Sequence, residues 1–192
     1  MLLQIYRDAL VPGREAEYRA VEEDAAKATA RLGFPNPHLA MEALGGPKEV
    51  WWINAFDSED HRRRVIEEYE KNRELVAALL EIGRRKQGLI GTPKDVVTTW
   101  RPDLSLGRKW DPAGARFVVA VVTGGESALP GAVYEAPDGT RFILRTVATL
   151  GEADKLQAAA GLATVFAIRP YWGLPAKEWI AADPEFWKRA PP

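Results

Sequence analysis

Two histidines, His38 and His61, are the only imidazoles in the chain, so a mechanism that moves a proton through imidazole must use one of them. His61 falls one and two turns before Val65 and Tyr69, on the apolar stripe of a predicted helix. The positive end of the helix dipole favours the neutral ring there, which suits a general base. The alternative is an ordinary first-turn residue that half-covers a sheet edge. His38 begins a predicted strand after a proline, where we expect a solvent-facing ring.

The second candidate group is an amide among aromatic side chains. In the third predicted strand, alternation puts Trp52, Asn54 and Phe56 on one face. A buried amide needs hydrogen-bond partners, and Asn54 could hold a carbonyl or enolate oxygen of a ligand. The alternative is a sheet-interface asparagine bonded to backbone or water. Tyr6 and Trp100, on neighbouring predicted strands, would complete the same concave surface, although aromatic residues at such positions are also typical of a core.

Other catalytic patterns are incomplete in this sequence. There is no cysteine, which excludes thiolate chemistry and disulfides, and the two histidines lack the spacing of a metal site. We therefore expect no metal and no cofactor. The acidic runs at 22–24 and 67–68 are typical of solvated helix surfaces. The glycine pair at 124–125 lacks the lysine and the following helix of a phosphate loop.

The elements that must position these groups lie in residues 2–100, which alternate as strand, helix, strand, strand, helix, strand. Pro12-Gly13 opens the first helix, and its stripe consists of Tyr18, Val21, Ala25, Ala28 and Leu32. Segments 38–44 and 49–56 form a hairpin. One long helix then runs from an N-cap at Asp57 or Ser58 to Gly88, with basic residues 84–86 at the end that the dipole favours.

The second half of the chain repeats this order without the first helix. Residues 102–114 are rich in Pro, Gly and Ser and predict a linker between domains 1–102 and 115–192. The later segments predict strand, strand, strand, helix, strand, followed by an aromatic C-terminal stretch. The predicted class is therefore α+β, with a ferredoxin-like half followed by a degenerate one. A four-stranded sheet with both helices on one face needs a partner surface on the other.

Composition narrows the class of partner. The formal net charge is -1 and the pI about 6.2, so no global field attracts nucleic acid or anionic lipid. Hydrophobic residues make up 46% of the chain, enough for a substantial core, but no apolar run approaches the roughly 18 residues of a membrane helix. The N-terminus lacks a signal-peptide core. We expect a cytoplasmic protein that binds neither nucleic acid nor membrane.

Two segments resemble the NIPSNAP family of the dimeric α/β-barrel superfamily. Tyr6 with Val11-Pro12-Gly13-Arg14-Glu15-Ala16-Glu17-Tyr18 resembles the family's opening, and Trp51-Trp52-Ile53-Asn54-Ala55-Phe56-Asp57-Ser58 with His61-Arg62 resembles its third strand and second helix. The resemblance covers about residues 2–100. It implies a barrel of two sheets, formed across a homodimer or between the two halves of one chain.

The superfamily contains cofactor-free monooxygenases, haem-degrading enzymes, isomerases and proteins without known catalysis, so the resemblance does not choose an activity. Its haem-degrading members carry an iron-ligating histidine late in the second helix. Residues 69–85 contain no histidine, which disfavours that chemistry here.

Three functions follow from these observations. The first is binding of an apolar aromatic small molecule, with cofactor-independent oxidoreductase or isomerase activity. His61 and Asn54 would be catalytic, and the binding residues would be Tyr6, His38, Trp52, Tyr69 and Trp100. The second is a non-catalytic, homo-oligomeric NIPSNAP-like assembly module. The third, RNA binding, ranks last because the aromatic strand lacks flanking basic residues.

Overall fold

The structure is a computed structural model that describes residues 1–106 and 109–188. The first half contains β1 (Leu2–Ala9), α1 (Glu15–Leu32), β2 (His38–Ala43), β3 (Glu49–Phe56), α2 (Glu59–Lys71), α3 (Arg73–Arg85) and β4 (Lys94–Trp100). The second half contains β5 (Phe117–Thr123), β6 (Ala132–Glu135), β7 (Arg141–Val147), α4 (Leu150–Ala160), β8 (Thr164–Ile168), α5 (Lys177–Ala182) and α6 (Pro184–Trp187).

The strands form a closed antiparallel barrel in the order β1-β3-β2-β8-β5-β7-β6-β4. Within each half the order is fourth, first, third, second strand, so both halves follow one pattern. The halves join where β2 pairs with β8 and where β4 pairs with β6. The prediction of a mixed α/β barrel is confirmed, and its eight strands close within one chain. The division into domains 1–102 and 115–192 stays a prediction.

The inside of the barrel is filled by side chains from both halves. The inward residues of the first half include Leu3, Ile5, Leu39, Met41 and Ile53. Trp51 lies among them, with its ring centroid 4.7 Å from that of Phe166 and 6.1 Å from that of Phe142. The second half therefore supplies the surface that the first sheet needs, and a ligand site must be sought on the outer face.

Helices α1, α2 and α3 cover the outer face of β1, β3 and β2. Tyr18 and Val21, on the inner face of α1, are buried as predicted. Gly33 ends this helix with φ 77°, a value that favours glycine. Ser58 caps α2 by accepting the His61 backbone N–H at 3.1 Å.

The prediction of one long second helix is wrong, because the chain breaks at Asn72. This residue leaves helical geometry with ψ 78°. Its side chain accepts the backbone N–H of Leu75 at 3.1 Å and donates to the carbonyl of Leu32 at 2.8 Å. Asparagine is a strong N-cap, so it starts a new helix, α3, and ties it to the end of α1.

The aromatic C-terminal segment packs on the barrel, as expected of a cover for apolar surface. Trp187 is buried in the barrel core and Trp179 packs beside it, with ring centroids 5.8 Å apart. Trp172 instead joins the cluster beneath α1. In the described residues, every helix is too short or too polar to cross a lipid bilayer.

Candidate functional site

A cavity of about 390 Å³ lies between the outer face of β1, β3 and β2 and the three covering helices. Its walls are mainly aliphatic and aromatic: Phe34, Trp52, Val65, Ile66, Leu79 and Ile82. Trp172, from the second half of the chain, also lines it. Enclosed apolar volume with a few polar groups is typical of small-molecule sites.

Three cross-strand rows form the floor of this cavity. The first row is Gln4, Asn54 and His38, the second is Tyr6, Trp52 and Ala40, and the third is Asp8, Val50 and Glu42. Members of one row lie side by side, since directly paired residues have Cβ atoms about 5 Å apart. From these rows, the residues that line the cavity are Gln4, Asn54, His38, Tyr6, Trp52 and Asp8. The first row presents neutral polar groups to it and the third presents the Asp8 carboxylate, so the cavity has two chemically different ends.

The first end, called the histidine end, consists of His38 and Asn54. His38 is only 7% exposed, so the expectation of a solvent-facing ring is wrong. Its strand is flanked by β3 and by Leu174, whose backbone bonds to that of His38, and Phe34 packs on the ring at a centroid distance of 5.1 Å.

The His38 ring is neutral. Its Nδ1 lies 3.4 Å from the carbonyl oxygen of Asn36, so Nδ1 carries the hydrogen and Nε2 keeps its lone pair. Burial lowers the pKa of His38 to about 4. The ring therefore stays unprotonated near neutral pH, and Nε2 can accept a hydrogen bond.

Asn54 is also 7% exposed, and its Oδ1 is buried without a hydrogen-bond partner among the described residues. Buried amides are normally bonded, and an exception needs a reason. Asn54 is flanked by Gln4 and His38 in its row. A ligand that brought a polar group to this row would supply the missing partner.

The second end, called the ionic end, consists of Asp8, Glu22 and Lys86. The hydroxyl of Tyr18 donates to Oδ2 of Asp8 at 3.0 Å, and Nζ of Lys86 donates to the same oxygen at 3.2 Å. Lys86 also forms an ion pair with Glu22, and its Nζ lies 4.3 Å from the ring centroid of Trp52.

Burial dominates the electrostatics of the ionic end. It raises the pKa of Glu22, which is 2% exposed, and the neighbouring Asp8 carboxylate raises it further although Lys86 acts against both. Burial opposes the charge of Lys86, but the two carboxylates outweigh it and raise the Lys86 pKa. Burial likewise raises the pKa of Tyr18, so its hydroxyl remains protonated.

Sequence reasoning missed this end because charged runs usually face water. The expectation that Glu22 lies on a solvated surface is wrong. Lys86 lies at the helix end, as predicted, and also contacts the buried carboxyl groups. Glu22 follows Tyr18 by four residues and Lys86 follows Ile82 by four, so each continues a buried stripe. That spacing was the available signal.

Tyr6 and Tyr69 stand at the open side of the cavity. Tyr6 is 38% exposed, and its hydroxyl accepts a 2.6 Å hydrogen bond from Gln4, which also bonds to Asp95. Partial burial, and secondly the Asp95 charge, raise the pKa of Tyr6 to about 12. Burial raises the Tyr69 pKa as well, so both phenols are neutral hydrogen-bonding groups.

Of the residues named from the sequence, the structure brings together Tyr6, His38, Trp52, Asn54 and Tyr69 around one cavity. His61 does not line it. This ring is 32% exposed, packs on Phe56 and accepts the Asp57 backbone N–H at 3.3 Å. Trp100 packs toward the barrel core and donates to Ser105 at 3.1 Å. Across the described ranges, no three His, Asp or Glu side chains are grouped as metal ligands.

Comparison with known structures gives relatives by fold. A candidate monooxygenase from Fusobacterium nucleatum matches with a TM-score of 0.58 and 9% identity, covering 87% of this chain and 91% of that one. A NIPSNAP domain protein from Burkholderia xenovorans matches with a TM-score of 0.41 and 16% identity, covering 52% of this chain and 93% of that one. No protein-family model and no curated protein matches the sequence.

The Fusobacterium protein shares the barrel fold that the resemblance implies, and a NIPSNAP domain protein is also among the structural neighbours. At 9% identity the Fusobacterium protein shows a shared fold and nothing about activity. Function must therefore be argued from the cavity itself.

Proposed function

We propose that this protein binds an apolar aromatic small molecule in the cavity and acts on it as a cofactor-independent oxidoreductase or isomerase. The observation that carries the proposal is the pairing of His38 and Asn54 on one row of a mainly apolar cavity. A neutral imidazole beside an unpartnered amide is suited to a ligand hydroxyl or keto group.

The chemistry assigned to this pair is proton abstraction. Nε2 of His38 takes the proton of a hydroxyl, or of a carbon next to a carbonyl, and Oδ1 of Asn54, which has no partner among the described residues of the free protein, accepts a hydrogen bond from the ligand. Return of the proton to another carbon completes an isomerisation. With molecular oxygen as the second substrate, the same anion passes its electrons to O2. One oxygen atom replaces a ring hydrogen to give a quinone, and the other leaves as water.

This proposal transfers the base from His61 to His38 and keeps Asn54. The reason is position, because His38 lines the cavity and His61 lies beside Phe56 outside the lining. Tyr6, Trp52 and Tyr69 keep the binding roles that the sequence suggested.

We also infer that each half is a ferredoxin-like unit and that the chain contains both units of a dimeric α/β-barrel arrangement. The repeated strand order and the two reciprocal junctions, β2 with β8 and β4 with β6, support this interpretation. Since the barrel needs no second chain to close, a homo-oligomer would use another surface. Light scattering gives the molar mass in solution and so tests whether the protein is a homo-oligomer.

Binding of 2-naphthol tests the proposed function. We expect saturable binding by calorimetry, weakened about tenfold by His38→Phe and by Asn54→Leu, because each removes one ligand hydrogen bond. His61→Phe is the matched control and should bind as the wild type does. Loss of binding in the control, or no saturable binding by the wild type, would refute the assignment.

Activity is tested separately from binding. Hydroxylated and keto-bearing naphthalenes would be incubated with the protein, with oxygen uptake followed by electrode and exchange of carbon-bound hydrogen followed by NMR in D2O. We expect one of the two signals, and we expect His38→Phe to abolish it. Binding without either signal would leave a binding protein and overturn the enzymatic part.

A further inference from the structure

The ionic end contains more negative groups than its single cation balances. Oδ2 of Asp8 accepts two hydrogen bonds, from Tyr18 and from Lys86. Glu22 is 2% exposed and lines the cavity. Its Oε1 touches Lys86 as an ion pair but accepts no aligned hydrogen bond from any described residue. Glu22 is thus a buried polar side chain with unused bonding capacity beside a ligand-sized space.

We propose, on the basis of the function proposed above, that Glu22 is a second substrate-contacting residue, a neutral carboxylic acid that donates a hydrogen bond to an oxygen at the far end of the ligand. The ligand class is then narrower than an apolar aromatic compound. It carries two oxygens at opposite ends, one bound by His38 and Asn54 and the other by Glu22.

The spacing of the two ends fits a ring system between them. Asn54 and Trp52 are two residues apart on the same face of β3, which corresponds to about 7 Å. The ammonium of Lys86, which contacts Glu22, lies 4.3 Å from the centre of the Trp52 ring. The ionic head groups therefore stand beside the Trp52 ring of the second row, one row away from His38 and Asn54.

The charges around Glu22 favour its neutral form. The groups that face it are Asp8 from β1, Tyr18 from α1, Trp52 from β3 and Lys86 after α3. Lys86 can neutralise one carboxylate, and Asp8 also has the Tyr18 hydroxyl. If both carboxyl groups were ionised, the buried group would carry a net negative charge, which costs free energy of folding. Burial also raises the pKa of Glu22, the direction that favours the neutral acid.

A pair of probes that differ by one oxygen tests the inference. The wild type should bind 2,6-dihydroxynaphthalene about tenfold more tightly than 2-naphthol, the value expected for one added hydrogen bond. Glu22→Leu should abolish this preference, while Glu22→Gln should keep it because the amide N–H still donates. Glu23→Gln, on the exposed side of α1, is the matched control and should keep it too.

The outcomes separate this inference from the function on which it rests. If neither probe binds, the proposed function fails and the inference fails with it. If both bind without preference, or if Glu22→Leu keeps the preference, the cavity binds aromatics but Glu22 does not contact the far oxygen.

Infrared spectroscopy tests the protonation state without any ligand. The wild type should show the C=O stretch of a buried carboxylic acid near neutral pH, and Glu22→Gln should lack it. An unchanged spectrum in Glu22→Gln overturns the inference. This spectrum, together with binding of the two probes to the wild type, tests the role of Glu22 even if Glu22→Leu does not fold.

Discussion

His38 and Asn54 lie directly opposite each other on β2 and β3, both buried on the same face, and neither side chain bonds to the other. Paired polar residues in a sheet usually bond to each other or to backbone. Here the first row instead presents an imidazole lone pair and an amide to the cavity. This arrangement lowers the stability of the free protein, and substitutions of His38 and Asn54 should reveal by how much.

The buried neutral ring of His38 predicts a loss of stability in acid. Its pKa is about 4 when folded and 6.5 as the ordinary value, so the unfolded chain binds the proton first. Stability due to this group is therefore intact above pH 6.5, falls as pH drops to about 4, and then levels off. The loss is about 3 kcal/mol.

The variant His38→Gln measures this term, because its side chain does not titrate. The difference in free energy of unfolding between wild type and variant should shift by about 3 kcal/mol in favour of the variant from pH 7 to pH 4. Urea unfolding at several pH values gives this difference. Parallel pH curves for the two proteins would show that the ring is not buried in its neutral form.

Asn54→Leu should raise the free energy of unfolding while it weakens ligand binding. The wild-type amide loses its hydration on burial and gains no partner for Oδ1, so an apolar side chain of similar volume should stabilise by about 1 kcal/mol. Denaturant unfolding of the wild type and the variant measures this difference in free energy of unfolding.

Asn36→Leu is the matched control for that substitution. Asn36 is buried too, but it donates to the carbonyls of Pro37 at 3.1 Å and Ala55 at 3.4 Å. Its replacement should therefore destabilise, by about 1 kcal/mol. Equal effects of the two substitutions would mean that Asn54 is bonded after all.

The sequence predicts the fold correctly for elements that bury only one face, because burial of one face leaves a periodic apolar pattern. Alternation in β3 separated Trp51 from Trp52 correctly, and turn residues marked the hairpin. The break at Asn72 was not predicted, because the apolar stripe continues on both sides and only cap geometry interrupts it.

The candidate site was half predictable for a similar reason. Aromatic residues near Asn54 suggested a pocket, and the cavity residues agree. The sequence predicts Glu22 on a helix surface and Lys86 at a helix end, because local pattern does not reveal which charge meets a partner from a distant element. His38 was misplaced because its cover includes Leu174, a contact that no local pattern encodes.

Lys86→Met should be one of the most damaging single substitutions at the cavity. It leaves the buried carboxyl groups of Asp8 and Glu22 without their cation, and breaking a buried ion pair costs about 3–5 kcal/mol. The double variant Glu22→Leu/Lys86→Met removes one carboxyl as well and should be more stable than the single variant. Thermal and urea unfolding of the full cycle measures this coupling. Additive effects would contradict the proposed ionic cluster.

Gly173→Ala should destabilise the protein and loosen the cover of His38. A Cβ at this position would lie 2.7 Å from the carbonyl oxygen of His38 and 3.2 Å from the nitrogen of Ala40. Both are backbone atoms of β2, so the 169–174 segment must move away, and Trp172 must move with it. We expect a loss of about 1–3 kcal/mol by urea unfolding and weaker 2-naphthol binding. Gly151→Ala is the control, since a Cβ there meets nothing within 4 Å and alanine favours the helix. If both substitutions were neutral, the segment would not be seated on β2 and Trp172 would not close the cavity.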